Sequence, residues 1–222
     1  DGTLWMWGEN YGGPLGQNDI INRSVATQVG TNTTWAKVEI GNYHTLATKT
    51  DGTLWSWGSN SSGALGQNDT VSRSSPVQVG ALTTWLSISC GTYLSIAIKT
   101  DGTMWSWGNN NSGQLGQNLS VITEKSSPVQ VGALTTWSSI AACDQGVFAI
   151  KTDGTLWSWG KNNLGQLGQN DTVYRSSPVQ VGALTNWSKV TPSGTDTFVY
   201  AIKTDGTLWG WGNNGYGALG LN

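Results

Sequence analysis

The chain has 222 residues, of which only 11% are charged, a net charge of −2 and two cysteines; soluble domains usually carry roughly a quarter charged residues, and here Gly, Ser, Thr and Asn take their place. That balance leaves no basic patch for nucleic-acid binding by counterion release, and two cysteines do not make a disulfide framework. No apolar run approaches the ~18 residues of a transmembrane helix, and the chain opens at Asp1 rather than Met, so a processed product or an excerpt of a longer protein is expected.

The organising feature is an internal repeat. Asp-Gly-Thr recurs at Asp1, Asp51, Asp101, Asp153 and Asp205, which divides a single domain into units 1–50, 51–100, 101–152 and 153–204 and a partial unit 205–222. The two longer units differ by insertions at Val121–Lys125 and Thr191–Thr197, and insertions confined to such points mark loops.

Within the second unit the elements follow in chain order. Thr53–Trp57 alternates, with Thr53, Trp55 and Trp57 on one face and Leu54 and Ser56 on the other, the pattern of a strand. The loop Ser59–Ala64 comes next. Ser75–Val79 predicts a second strand, in which Pro76 removes a ladder donor, so the strand either lies at an edge or begins at the proline. Trp85–Ser89 and Leu94–Lys99 predict two more. Thr100-Asp101-Gly102-Thr103 then joins Leu94–Lys99 to the next Thr-x-Trp strand, and Asp-Gly between two strand-like runs predicts a hairpin with a type I′ turn. Nothing has helical periodicity over three turns. The fold class is therefore all-β. Four short antiparallel strands per ~50 residues make a β-propeller blade, and about four and a half such blades fit in the chain. Three tryptophans recur per unit, as Trp55, Trp57 and Trp85 or Trp105, Trp107 and Trp137, and the packing of blade on blade accounts for them.

The stretch Gly-Thr-Leu-Trp-Ser-Trp-Gly-x-Asn-x-x-Gly-x-Leu-Gly-Gln stands at Gly52–Gln67, at Gly102–Gln117 with Met104, and at Gly154–Gln169. Gly2–Gln17 departs from it in the loop, and the last copy ends in Leu221 where Gln is expected. This stretch, with the Pro-Val and Ala-Ile-Lys-Thr-Asp-Gly that follow, resembles the repeats of the RCC1 (regulator of chromosome condensation) family across the whole chain. The resemblance implies four-stranded blades and a ring usually of seven. Four units and a partial one do not fill such a ring. Three arrangements follow: part of a longer propeller, a ring shared with another copy, or an open array. Founding members of the family exchange nucleotide on a small GTPase and dock on chromatin, and others sense ultraviolet light through a Gly-Trp-Arg-His-Thr motif that is absent here. Near-identical blades are a poor match to an exchange factor. They are closer to the repeat proteins of bacteria and phages, often surface or virion components.

Little in the sequence suggests chemistry. His44, the only histidine, has no His/Cys/Asp cluster around it for a metal or for acid–base work and fills the family's structural His position. Cys90 and Cys143 stand one strand position out of step, so their side chains face opposite ways. One Asp per blade in Gly-Gln-Asn-Asp-Thr, at Asp69 and Asp171, falls short of a calcium site and marks a turn. Lys49, Lys99, Lys151 and Lys203 recur before the Asp-Gly turns, either paired with the turn carboxylate, solvated, or as a ring for an anion. Asn-x-Ser/Thr recurs, as at Asn60 and Asn110, and carries glycan only in a secretory setting. No catalytic residue, metal or cofactor is expected, and the chain is expected not to be an enzyme.

The leading expectation is a non-catalytic interaction or structural module of an extracellular, cell-surface or virion protein, which binds a protein or a glycan or assembles with further copies of itself. The alternatives are a nuclear or cytoplasmic RCC1-like regulator or guanine nucleotide exchange factor, and a filament-forming subunit. Candidate binding residues lie in the variable loops after the Trp-x-Trp strands: Asn10, Tyr11, Asn60, Ser61, Asn110, Asn111, Asn162, Asn163, Asn214 and Tyr216. Candidate assembly residues are the end-unit tryptophans Trp5, Trp7, Trp209 and Trp211. Nucleic acid and membrane insertion are not expected.

Overall fold

The computed structural model describes residues 1–119, 123–195 and 197–220; Val121 and Ile122 of the first insertion, Asp196 of the second, and Leu221 lie outside them. Seventeen strands are present among the described residues, and no helix. Three sheets are complete and four-stranded. The first runs β3(Trp35–Ile40), β4(His44–Lys49), β5(Leu54–Gly58), β6(Arg73–Gln78). The second runs β7(Trp85–Cys90), β8(Leu94–Lys99), β9(Met104–Gly108), β10(Lys125–Gln130). The third runs β11(Trp137–Ala142), β12(Gly146–Lys151), β13(Leu156–Gly160), β14(Arg175–Gln180). They are flanked by the pair β1(Trp5–Gly8), β2(Arg23–Gln28) and the triplet β15(Trp187–Pro192), β16(Phe198–Lys203), β17(Leu208–Gly212). All pairings are antiparallel.

Sheets and sequence units are out of phase by two strands. A unit that opens on Asp-Gly-Thr supplies the outer two strands of one blade and the inner two of the next, because the Asp-Gly hairpin lies inside a blade. The first strands β3, β7, β11 and β15 touch one another in succession, and β7, β11 and β15 each also touch the second strand of the blade before. They form the inside of an arc that does not close. Pro76, Pro128 and Pro178 sit on fourth strands, whose outer edge needs no donor.

The hairpin differs from the expected two-residue type I′ turn. Lys49 N bonds to Thr53 O and Gly52 N to Lys49 O, which closes a three-residue loop, and of the loop residues only Gly52 has a positive φ, 78°. This is the three-residue hairpin that needs one left-handed residue. Asp51 stays right-handed because its Oδ1 accepts from Thr53 N and Thr53 Oγ1. A side chain at Gly52 would meet Thr83 O at 2.1 Å, so the loop before β7 rests on the turn.

Blades are pinned by the second tryptophan of each Trp-x-Trp. Trp57, Trp107, Trp159 and Trp211 donate Nε1–H to the carbonyls of Pro14, Ala64, Gln114 and Gln166 in the preceding unit, at 2.7–2.9 Å. Trp57, Trp107 and Trp159 are fully buried in the cores between blades.

Candidate functional site

Two chain segments meet on one face of the arc. Strand pairs such as His44–Gly58 bring the turn before each second strand level with the end of the third, and Ser59 N bonds to Tyr43 O across that edge. The face thus carries the turns at Gly41–Tyr43, Gly91–Tyr93 and Cys143–Gln145 beside the variable loops.

Within the loops the structure divides the sequence candidates. Asn60 is fully buried. Its Oδ1 accepts from Leu65 N at 2.9 Å and its Nδ2 donates to Asp69 O, Asp69 Oδ1 and Val71 O. Asn10 and Asn162 repeat the arrangement, and Asn110 Oδ1 likewise accepts from Leu115 N. Asn10, Asn60, Asn110 and Asn162 are therefore internal braces, shut off from any partner. A loop that folds back between two strands leaves buried amides without ladder partners, and a carboxamide satisfies donor and acceptor together. Asn214 is exposed, yet its Oδ1 is engaged in the same way by Leu219 N. Tyr11, Ser61, Asn111, Asn163 and Tyr216 are exposed.

The turns add residues that sequence reasoning missed. Tyr43 and Tyr93 stack with ring centroids 5.1 Å apart and planes 18° from parallel, and Asn42 Nδ2 donates to Thr92 Oγ1 at 3.1 Å. Burial raises the Tyr93 hydroxyl above the usual tyrosine range, helped by Tyr43, Tyr11 and Asp144. A polar cavity of about 260 Å³ opens beside Tyr93, between Ser61, Asn111, Asp144 and Gln145. Ser112 Oγ donates to Gln145 Oε1 and Gln145 Nε2 to Asp144 Oδ2. The signal was present in the sequence: Asn-Tyr-His, Thr-Tyr-Leu and Asp-Gln-Gly differ between units at a point where the strands on both sides repeat.

The isolated polar residues have structural roles. His44 is fully buried, with Nε2 against Ser95 Oγ at 2.9 Å, and burial holds its pKa at about 4, against a smaller opposing effect of the Thr92 backbone. Cys90 and Cys143 are both free, and burial raises the Cys90 thiol. Asp69 and Asp171 cap their turns at Val71 N and Val173 N and pair with Arg73 and Arg175. Lys99, Lys151 and Lys203 are buried and Lys49 half-buried, and among the described residues no carboxylate lies within 4 Å of any of the four. Each ammonium lies over an indole, 3.5–3.7 Å from the ring centre of Trp55, Trp105, Trp157 or Trp209, a cation–π contact.

At the ends, Trp5, Trp7 and Trp209 are 49%, 62% and 48% exposed. Trp211 is not an open-end residue, since it packs on the preceding blade and donates to Gln166 O. The contact has a direction: each such tryptophan reaches back, so the last finds an acceptor and Trp7, the first, does not.

The chain shares 33% identity over 82 residues with the ultraviolet-B receptor UVR8 of Arabidopsis thaliana and over 71 residues with a protein RCC2 homolog of Danio rerio, alignments that take in 37% and 32% of the chain. They span only 19% and 14% of those proteins. Among solved structures, Prp20p of Saccharomyces cerevisiae superposes on the whole chain with a TM-score of 0.85 at 22% identity, and the chain covers 56% of it. Human WBSCR16 superposes with a TM-score of 0.80 at 22% identity, 98% of this chain and 58% of that one. The chain thus spans about half the length of these propellers. The family model for the RCC1-like domain matches residues 1–222 end to end, so the chain belongs to the RCC1-like domain family.

Proposed function

We propose that the chain is a protein-interaction module whose reading face is the one that carries Tyr43, Tyr93, Asp144 and Gln145. The observation that carries this is the contrast within each unit. The scaffold repeats nearly unchanged, while the turns at this face differ from blade to blade and present a half-buried aromatic stack, the kind of anchor that interface centres favour. Tyr11, Ser61, Asn111 and Asn163 extend the same face. No cluster of three or more His, Cys, Asp or Glu able to hold a metal is found among the described residues.

Of the partners expected from sequence, a regulator of the RCC1 type has more support than an extracellular or virion component. Its relatives include the RCC2 homolog, and Prp20p is described with its binding to Gsp1p and histones. The test is binding of Gsp1p and of histones to the chain and to a Tyr43→Ala/Tyr93→Ala variant, with nucleotide release from Gsp1p as a second readout. Binding that falls at least ten-fold in the variant at unchanged melting temperature supports the reading. Binding that survives the double substitution moves the interface elsewhere, and no binding of either protein removes the regulator reading.

Self-association is a second reading, and Trp7 favours it. Four counterparts of Trp7 have a carbonyl acceptor in a preceding unit, and among the described residues Trp7 has none. A preceding blade would supply one, whether it comes from further chain or from a second copy docked head to tail. A dimer or larger species by light scattering, lost in Trp7→Ala, supports it, and a monomer at high concentration rejects it.

A further inference from the structure

We propose that the polar cavity at the end of the tyrosine stack takes the guanidinium of an arginine side chain of the protein partner. The inference rests on the reading of this face as a protein-interaction surface and names the chemistry that the partner brings to it. The cavity, of about 260 Å³, opens between Ser61, Ser62, Tyr93, Asn111, Asp144 and Gln145. Tyr43 is not among its walls, so Tyr93 is the ring through which the stacked pair borders it. In the next blade the turn position of Tyr43 and Tyr93 holds Gln145. Its amide is occupied, because Ser112 Oγ donates to Oε1 at 2.7 Å and Nε2 donates to Asp144 Oδ2 at 3.1 Å. The stack therefore stops at Tyr93, with the cavity next to it.

The cavity also carries a charge without a counter-ion. At the turn position of Asp144 the two preceding blades have the neutral Asn42 and Thr92, which bond to each other. Asp144 is half-buried, and among the described residues it forms no ion pair within 4 Å. Lys161 donates its backbone N–H to Gln145 O, yet its ammonium does not reach the carboxylate. Burial is the main cause of the raised Tyr93 hydroxyl, and Asp144 adds to the rise, which sets the carboxylate near that ring. A second carboxylate, Glu124, accepts from Asn109 Nδ2 at 3.1 Å, and Asn109 lines the same cavity. Partial burial of an unpaired carboxylate costs free energy that an incoming cation offsets.

Arginine follows from shape and donor count. A guanidinium is planar, so it lies against the Tyr93 ring in a cation–π contact where the tyrosine stack stops. Its fork meets a carboxylate with two N–H groups. The remaining N–H groups need neutral oxygens, and the side chains of Ser61, Ser62 and Asn111 offer them in the same walls. An ammonium is compact and more firmly hydrated, so lysine loses more on entering. An anion meets Asp144 and finds no lysine or arginine in the walls. A neutral sugar can use the ring and the hydroxyls but leaves the carboxylate uncompensated.

The probe is the capped peptide Gly-Gly-Arg-Gly-Gly, titrated into the full chain while the amide resonances of Asn111, Asp144 and Gln145 are followed by NMR. The same peptide with lysine or citrulline at its centre, and maltose, serve as controls; citrulline keeps the planar shape and lacks the charge. The expected result is binding of the arginine peptide with shifts at those amides, about five-fold or more tighter than any control and weakened by added salt. Asp144→Asn, which keeps an acceptor for Gln145, should weaken binding about ten-fold or more at an unchanged melting temperature. Asn111→Lys, at an exposed position, brings a cation of the chain's own to the cavity, should weaken binding likewise, and serves where the Asp144 variant is unstable. The proposal is overturned by no binding of the arginine peptide, by equal binding of a control, or by unchanged affinity in either folded variant. Whole proteins separate it from the reading on which it rests. If Tyr43→Ala/Tyr93→Ala abolishes binding of Gsp1p or histones and Asp144→Asn leaves it unchanged, the arginine site falls and the interaction face stands.

Discussion

Replacing Asn60 by alanine tests whether the conserved-looking loop asparagines brace the fold or read a partner. The substitution removes the acceptor of Leu65 N, which is fully buried, and the donor to Asp69 O and Val71 O, at 2.9 and 3.2 Å. Water can reach the two carbonyls, because Val71 is exposed and Asp69 half-buried. It cannot reach Leu65 N, and an orphaned buried amide costs about 1–3 kcal/mol. Adding partial loss of the carbonyl bonds gives about 2–4 kcal/mol. For a chain of this size each kcal/mol lowers the melting temperature by about 2–4 °C, so a fall of roughly 5–15 °C is expected in thermal denaturation followed by circular dichroism. The neighbouring Ser61→Ala, at an exposed position, should lie within about 0.5 kcal/mol of the parent. An Asn60→Ala variant that melts with the parent, or that loses partner binding at full stability, refutes the bracing role.

Two further outcomes are expected. His44 is held neutral by burial, with a folded pKa of about 4 against an ordinary 6.5. Its contribution is complete above pH 6.5 and is lost as pH falls towards 4, by about 3 kcal/mol in all. His44→Leu, which copies Leu94 at the equivalent position, should flatten the pH dependence of the melting temperature across that window, and an unchanged slope would assign it to other groups. Gly66→Ala places a methyl 2.9 Å from Trp107 Nε1 at a φ of 69°, so it should cost at least 1 kcal/mol and perturb the Trp107 fluorescence, whereas Gly80→Ala, also left-handed but with open space around it, should pay the backbone strain alone.

Much of the fold was legible because each blade repeats one solution. Strand alternation at Thr53–Trp57, the proline on the fourth strand and the recurring Asp-Gly marked the antiparallel sheets and their outer edge. The turn type was misread because Asp-Gly serves two hairpins, and what selects between them is the Asp51 carboxylate bonded to Thr53, a contact without a period. The loop asparagines were misread for a related reason. Variation in a loop suggests a reading surface, but Asn60 is the part that does not vary, and invariance there reflects three backbone bonds and one to the Asp69 carboxylate rather than a ligand. Tyr43 and Tyr93 went unnoticed because they are far apart in sequence and meet only when neighbouring blades are set side by side.

The lysines show how the two faces come to differ. Lys49, Lys99, Lys151 and Lys203 each lie at the end of a second strand, next to the Asp-Gly turn, and each covers the first indole of the following strand. Desolvation lowers the pKa of Lys99 and Lys151, with the adjacent Asp101 and Asp153 acting in the opposite direction. The ammonium is therefore part of the packing, and the turn face must repeat wherever the tryptophans do. The opposite edge has no such tie. Its loops are held from within by Asn60 and its equivalents, so the turn residues 41–43, 91–93 and 143–145 can vary without disturbing the blades. A scaffold that fixes one face and frees the other leaves blade-to-blade variation to the free face.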